Sequence, residues 1–586
     1  MSLERELDAL ASATMQSALG LEEVPNAILR KAQDSKFGDY QINGCMGLAK
    51  KLGKSPRDLA APVAEAMLAT DAVSEASVAG PGFVNLRLEP TWLAKRVVAD
   101  LADARLGVEL VETPETIVID YSSPNIAKQM HVGHLRSTII GDCLARLFRF
   151  TGHKVIADNH LGDWGTQYGL LIVGEREFGD AEALKDNALA ELERVYKLAS
   201  AKAKEDDAFA AEARAELAKL QAGDKDNLAA WKRLVDTTRV TLDKMYERLD
   251  IHFDEWLGES AYNEMLPGVV ERLLEEGLAR IDDGAVCVFL KDVADPKGLV
   301  PKKLKKSDAP FIVRKSDGAY LYATTDIATV LHRKNEFKAD RSVYVVDKRQ
   351  SLHFNQLFAV SALLGIEMEF DYISFGTILG TTGKPLSTRG GGTLRLSVLL
   401  DEAEEQALTK IEELREAGRL RIADEDVAEA THVIGVGAVK YADLMQNRST
   451  DYKFDFEKMI AFSGNAGPYL QYQYARCRSI FAKGNVDFDA FGTDAIEITH
   501  PKERALAFEL ARFGDVVHRA AKERLPHYIS DHLFAIAQGF SGFYTDCPVL
   551  SDDAPVQASR LALTKLTALQ LRKGLDLMGI GVLERM

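Results

Sequence analysis

The stretch Ile117-Val118-Ile119-Asp120-Tyr121-Ser122-Ser123-Pro124-Asn125-Ile126-Ala127-Lys128-Gln129-Met130-His131-Val132-Gly133-His134-Leu135-Arg136 decides the fold. It reads as an apolar strand, a turn marked by Ser-Ser-Pro-Asn, and a helix. The helix pattern runs from His134 to Phe150 with Leu135, Ile139, Cys143, Leu144, Leu147 and Phe148 on one face. Gly152 stops it and Val155-Ile156-Ala157 begins a second strand. Strand, helix, strand is the unit of a parallel sheet, with ligands expected at the strand ends. His131 and His134 are three apart, so both imidazoles face one side of the first helical turn. A helix N-terminus seats phosphate, and two imidazoles there can stabilise charge that develops at an α-phosphorus. Gly133 leaves room for a purine ring against the backbone. A pair of surface histidines flanking a glycine is the competing reading of so short a motif. The placement between strand and helix weighs for function.

The whole chain sets the frame. With 586 residues, 46% hydrophobic and 27% charged, it predicts an ordinary globular protein of about three or four domains. It contains no run of eighteen apolar residues. Met1 to Gly20 is a charged amphipathic pattern rather than a signal peptide, so no membrane and a cytoplasmic location are expected. Five scattered cysteines without CxxC argue against zinc knuckles and a disulfide framework, and no resident metal is expected. A net charge of −16 argues against coating by nucleic acid. It leaves room for a local basic track, because phosphate attraction acts within a Debye length of about 8 Å.

Ser122-Ser123-Pro124-Asn125-Ile126-Ala127-Lys128 followed by His131-Val132-Gly133-His134-Leu135-Arg136-Ser137-Thr138 resembles the HIGH region of the arginyl-tRNA synthetases. Asn159-His160-Leu161-Gly162-Asp163-Trp164-Gly165-Thr166-Gln167 is similar to the next block of that family. The resemblance implies a multidomain α/β chain: a Rossmann-like, doubly wound parallel sheet with an N-terminal α+β add-on domain and a C-terminal α-helical bundle. It implies activation of L-arginine by ATP, with Mg2+ carried on the nucleotide, and transfer to the 3′-terminal adenosine of tRNA(Arg). A monomer is expected.

Residues 1–110 are expected to form the add-on domain, with helices at Ser2–Leu19, around Ala49 and at Arg57–Leu68, and strands through Val78 and Phe83–Leu88. The resemblance places Phe83 and Asn85 against a base of the tRNA elbow. The physical warrant is stacking plus an amide on a base edge. Residues 111–375 are expected to carry the sheet, with an insertion at about 175–310 that is first helical and then mixed. Its loop Lys302-Lys303-Leu304-Lys305-Lys306 reads as solvated rather than phosphate-binding. Tyr320 to Ala328 opens a helix with Thr324 or Thr325 as N-cap, and Ser342–Val346 is a strand running into another helix.

A guanidinium requires an ionised carboxylate with further acceptors fixing its plane. The resemblance assigns that role to Asp326, with Tyr322 and Gln350. It places Ser123, Asn125 and His134 around the rest of the amino acid, with Asn159 a further pocket candidate, and His131, Gly133, His134, Lys128 and Gly376 are the residues expected at ATP. Thr381-Thr382-Gly383-Lys384-Pro385-Leu386-Ser387-Thr388-Arg389 lies where class I synthetases carry KMSKS and departs from that motif. Lys128, Lys384 and Arg389 thus compete to neutralise pyrophosphate, with Lys128 and Arg389 favoured. Residues 376–450 would hold this loop and connecting helices, and 451–586 the anticodon-binding bundle. Tyr452, Tyr469 and Arg476 are expected on tRNA, with burial in the core the alternative for the tyrosines.

Overall fold

The computed structural model describes residues 2–165, 167–380, 382–386 and 394–586. Four parallel strands form the central sheet in the order Glu369–Phe375, Arg341–Asp347, Thr116–Asp120, Lys154–Asp158. The chain leaves Thr116–Asp120 toward Lys154–Asp158 on one side. It later returns to the other side through Arg341–Asp347. The topological switch point therefore lies between Thr116–Asp120 and Arg341–Asp347, where a doubly wound sheet opens a crevice for ligands. The signature helix spans Val132–Thr151 with His131 as N-cap and Gly152 (φ +101°) as C-cap. It is buried on more than the predicted face, because the sheet lies on one side and helices of the C-terminal bundle on the other. Gly141 lets it reach the sheet: a Cβ there would stand 2.2 Å from the Tyr121 ring.

A buried ion cluster joins the strand ends. Asp120 and Asp158 are register partners on adjacent strands, and Nη2 of Arg333 donates to both, at 2.8 and 2.7 Å. Arg333 is 0% exposed, donates also to Ser342 Oγ at 3.1 Å, and lies 5.1 Å from the Tyr344 ring. Asp120, Asp158 and His160 are spaced as a cation site would be. Arg333 itself supplies the counter-charge for both carboxylates there.

The N-terminal unit is a four-stranded antiparallel sheet with helices Leu3–Leu19, Gly44–Leu52 and Pro56–Leu68. Two of its strands, Leu29–Lys31 and Tyr40–Ile42, were not expected; at three residues each they carry no readable alternation. The unit docks on the C-terminal bundle: Arg504 pairs with Asp39, Lys31 with Glu509 at 3.0 Å, and Tyr40 meets Phe508 edge-on. The insertion supplies four helices between Ala181 and Arg248, then a three-stranded antiparallel sheet of Arg280–Asp282, Ala285–Val288 and Phe311–Arg314. In the basic loop Leu304 is buried and Lys305 pairs with Asp295 at 2.8 Å. The helix expected near Thr324 starts earlier, at Tyr322, with Leu321 as N-cap. Neither threonine caps it: Thr324 Oγ1 donates to the Val313 carbonyl, and Thr325 is buried inside the helix. No helix among the described residues is long and apolar enough to cross a membrane.

Replacing Arg333 by Met strands two buried carboxylates. It is expected to cost about 3–5 kcal/mol of stability, read as a lowered urea midpoint at unchanged m-value.

Candidate active site

The loop after Thr116–Asp120 holds three non-glycine residues in the left-handed region: Ser122 (φ 69°), Ser123 (46°) and Ala127 (58°). Each such residue costs about 1–3 kcal/mol and persists only where its surroundings fix it. The fixing bonds are specific. Ser137 Oγ accepts from the Ser122 amide (3.0 Å), Thr138 Oγ1 donates to Ser122 Oγ (2.9 Å), and Ser123 Oγ donates to Asp120 Oδ1 (2.8 Å). The long insertion helix Lys225–Arg248 adds two more: the Tyr246 hydroxyl bonds Ser122 Oγ (2.7 Å), and Thr238 Oγ1 accepts from the Ala127 amide (3.2 Å). Asn159 is fully buried, accepting from the Ser123 amide (3.1 Å) and donating to Tyr246 (3.1 Å). It was expected in the amino-acid pocket; its amide is committed to shaping the loop instead. Asn125 is exposed, with its Oδ1 against Gly162, where a Cβ would sit 2.2 Å away.

The two histidines form a capping box. His131 Nδ1 accepts from the Gly133 amide at 3.0 Å, and His134 Nδ1 accepts from the His131 amide at 3.1 Å. A neutral ring that accepts at Nδ1 carries its proton at Nε2, so each ring directs an Nε2–H donor away from the helix. The rings lie 3.9 Å apart with a 32° tilt. Burial, then the neighbouring His131 and Lys128, pushes His134 down to about 3; burial and then Lys128 lower His131. Both are therefore neutral donors at physiological pH. A Cβ at Gly133 would meet the His131 ring at 2.7 Å, so the capping position of that ring itself calls for glycine there.

Lys128 is exposed, its Nζ 5.5 Å from the Tyr196 ring of the insertion. Lys384 is exposed in a tight turn closed by the Gly380 amide on the Lys384 carbonyl (2.8 Å). Arg389 lies outside the described residues. Both ends of its segment are anchored: the Leu386 amide donates to Ile378, while Leu394 and Leu396 pair with Val132 and Met130 at 3.0 and 2.9 Å. Residues 394–396 thus lie against the entry to the signature helix, where Arg395 bridges His131 antiparallel. Gly376 packs against the C-terminal connection, where a Cβ would stand 2.3 Å from the Thr450 carbonyl oxygen, so backbone contact accounts for this glycine.

On the other side of the switch point, Tyr322 is 67% exposed at the start of its helix, and Asp326 follows one turn later. Asp326 accepts from Nε2 of His353. Gln350 is exposed at the N-cap of the helix Ser351–Leu363, three residues before His353. A further carboxylate, missed in the sequence, joins them. Glu259 is pushed up to about 8 by burial, then by Asp326 and Asp163, and it acts in turn on Tyr322. Its place is set by Asp163, which accepts from the amide (2.8 Å) and hydroxyl (2.6 Å) of Ser260 and lies where a Cβ on Gly258 would be. The only sequence signal was an acid wedged in Gly258-Glu259-Ser260.

The residues expected on tRNA fare differently. Asn85 is buried and accepts from Gln41 at 2.8 Å; Phe83 is half-buried. Tyr452 is a correction: it is buried, donates to Asp443 at 3.0 Å and packs 5.3 Å from Arg136, so it has no free face for a base. Asp443 holds Arg136 at 3.0 Å, tying the signature helix to this connection. Tyr469 and Arg476 remain half-exposed on the helix Gly467–Lys483, the first edge-on to Phe534 and the second 4.2 Å from the Tyr544 ring.

A family profile for the class I tRNA synthetase (R) catalytic domain matches residues 96–456. The chain belongs to the arginyl-tRNA synthetase family. Profiles for the arginyl-tRNA synthetase N-terminal domain and the DALR anticodon-binding domain match residues 5–88 and 470–586. The arginine–tRNA ligase of Proteus mirabilis is 44% identical over 592 aligned positions, covering 100% of both chains. That of Chromobacterium violaceum is 44% identical, covering 98% of this chain and 99% of its own. Among solved structures, arginyl-tRNA synthetase from Plasmodium falciparum superposes with a TM-score of 0.83 at 26% identity, covering 100% and 99%. The Thermus thermophilus arginyl-tRNA synthetase gives 0.80 at 24%, covering both chains fully.

As a neutral donor at a helix start, His131 is expected to act on chemistry rather than on docking. His131→Ala is expected to slow adenylate formation about 10²-fold in pyrophosphate exchange, with tRNA affinity by filter binding unchanged. Equal loss of tRNA affinity would contradict the role.

Proposed function

We propose that the chain ligates L-arginine to tRNA(Arg) at the switch-point crevice, with the guanidinium held by Asp326 and Glu259. The observation that carries this reading is that Tyr322 and Asp326 open the helix Tyr322–Asn335, which leads into the strand Arg341–Asp347 beside the switch point, and that Glu259 feels the Asp326 charge and acts on Tyr322. Arginine and MgATP bind together, the metal arriving on the nucleotide. The arginine carboxylate oxygen attacks the α-phosphorus, the bond to the β-phosphate oxygen breaks, and pyrophosphate leaves. The 2′-hydroxyl of the terminal adenosine then attacks the carbonyl carbon and AMP departs.

The substrate supplies the nucleophile, so the protein's work is placement and charge stabilisation. His131 and His134 donate Nε2–H to the phosphate, and Lys128, with Arg389, balances the leaving pyrophosphate. Ser123 and Asn125 orient the amino acid, Gln350 completes the pocket, and Tyr469 and Arg476 offer a stacking face to anticodon bases. The enzyme acts as a cytoplasmic monomer in this reading.

Pyrophosphate exchange across the twenty amino acids, with and without tRNA, is expected to respond to arginine alone. Exchange with a different amino acid would displace the reading toward another acid substrate. No exchange alongside intact tRNA binding would make the chain a binding relative.

A proton accompanies arginine. Glu259 is largely protonated in the empty pocket below pH 8, and an arriving guanidinium favours its ionised form, so binding releases a proton. Arginine affinity is therefore expected to rise with pH, by up to about tenfold per unit, and to level off above pH 8. The slope should vanish in Glu259→Gln, measured by arginine KM across pH 6–9 with ATP saturating.

A further inference from the structure

His353 touches the pocket carboxylate yet has no part in the scheme above. We infer that it is a positioning residue for the amino-acid substrate, locking the plane of the Asp326 carboxylate; this rests on the proposal that Asp326 receives the guanidinium. Its Nε2 donates to Asp326 Oδ2. The imidazole is held between aromatic neighbours, with the Phe311 ring 5.5 Å away and the Phe354 ring 5.3 Å away and nearly perpendicular at 87°. Both partners are partly buried, at 32% and 19% side-chain exposure, so the bond is shielded but reachable from the pocket.

The chemistry explains why such a lock is useful. An aspartate turns over a broad range about its last torsion, whereas a guanidinium fork demands two parallel acceptors in a fixed plane. A donor from a rigid ring on one oxygen stops the rotation. It does not block the site, because each carboxylate oxygen accepts more than one hydrogen bond. Oδ1 and the second lone pair of Oδ2 stay open to the substrate. The ordering cost is met before arginine arrives, which lowers the cost of binding it. Gln350, three residues earlier at the same helix start, lies on the same side.

The experiment is tRNA-supplemented pyrophosphate exchange on the full chain, with separate KM values for arginine, ATP and tRNA. His353→Ala is expected to raise the arginine KM about tenfold, leaving the other two and the melting temperature unchanged. His353→Gln, whose amide N–H reaches the place of Nε2, is expected to restore most of it. An unchanged arginine KM in His353→Ala overturns the inference, as does a joint shift of all three KM values that Gln does not rescue. Asp326→Asn tests the underlying reading. If it keeps the wild-type arginine KM, both ideas fall; if it abolishes arginine activation while His353→Ala is silent, only the positioning role falls.

Discussion

A guanidinium sealed between the ends of two parallel strands is what the catalytic half of this chain rests on. Burying a charge is costly unless its partners are equally well placed, and Arg333 meets that condition by bridging Asp120 and Asp158. The remaining oxygen of Asp120 holds Ser123, whose amide is held by Asn159. A single hydrogen bond thus joins that ion cluster to the left-handed turn. The turn in turn sets the angle at which the chain enters the signature helix. The same chemistry recurs at shallower depth, where Asp326 and Glu259 stand together without a resident cation of their own fork geometry. On the function proposed above, the protein keeps one arginine permanently and offers a second, more accessible pair of acids to another.

Local features were legible in the sequence because their causes are local. The apolar strand, the HxGH start and the glycine stop of Val132–Thr151 depend on neighbours within a few residues. Asp326 was singled out through resemblance, since a lone acid in a helix start has no distinguishing pattern. Glu259 and His353 were not, because their placement depends on Asp163, Phe311 and Asp326, all distant in sequence. Thr324 misled for a related reason: a capping residue type lost its role to a long-range acceptor, the Val313 carbonyl. Tyr452 was drawn inside by Asp443 and Arg136, a buried charge pair that needed its hydroxyl.

The units at the two ends of the chain are physically one. Asp39 holds its own sheet through the Leu88 amide (2.7 Å) and pairs with Arg504 of the C-terminal bundle. The first helix adds the Glu4 amide on Asp515 at 3.0 Å. These bonds tie the N-terminal unit to the C-terminal bundle without passing through the catalytic sheet.

The insertion looks, by composition, like filler: alanine, glutamate, lysine and leucine at helical spacing. Its reach to Ser122 and Ala127 through Tyr246 and Thr238 gives it a different standing. Most of its surface is free to drift under mutation, while a hydroxyl must be kept at each of those points or the strained turn relaxes. A lineage, or a designer, that trimmed these helices for economy would inherit a sheet and a signature motif intact on paper, with the turn between them no longer held.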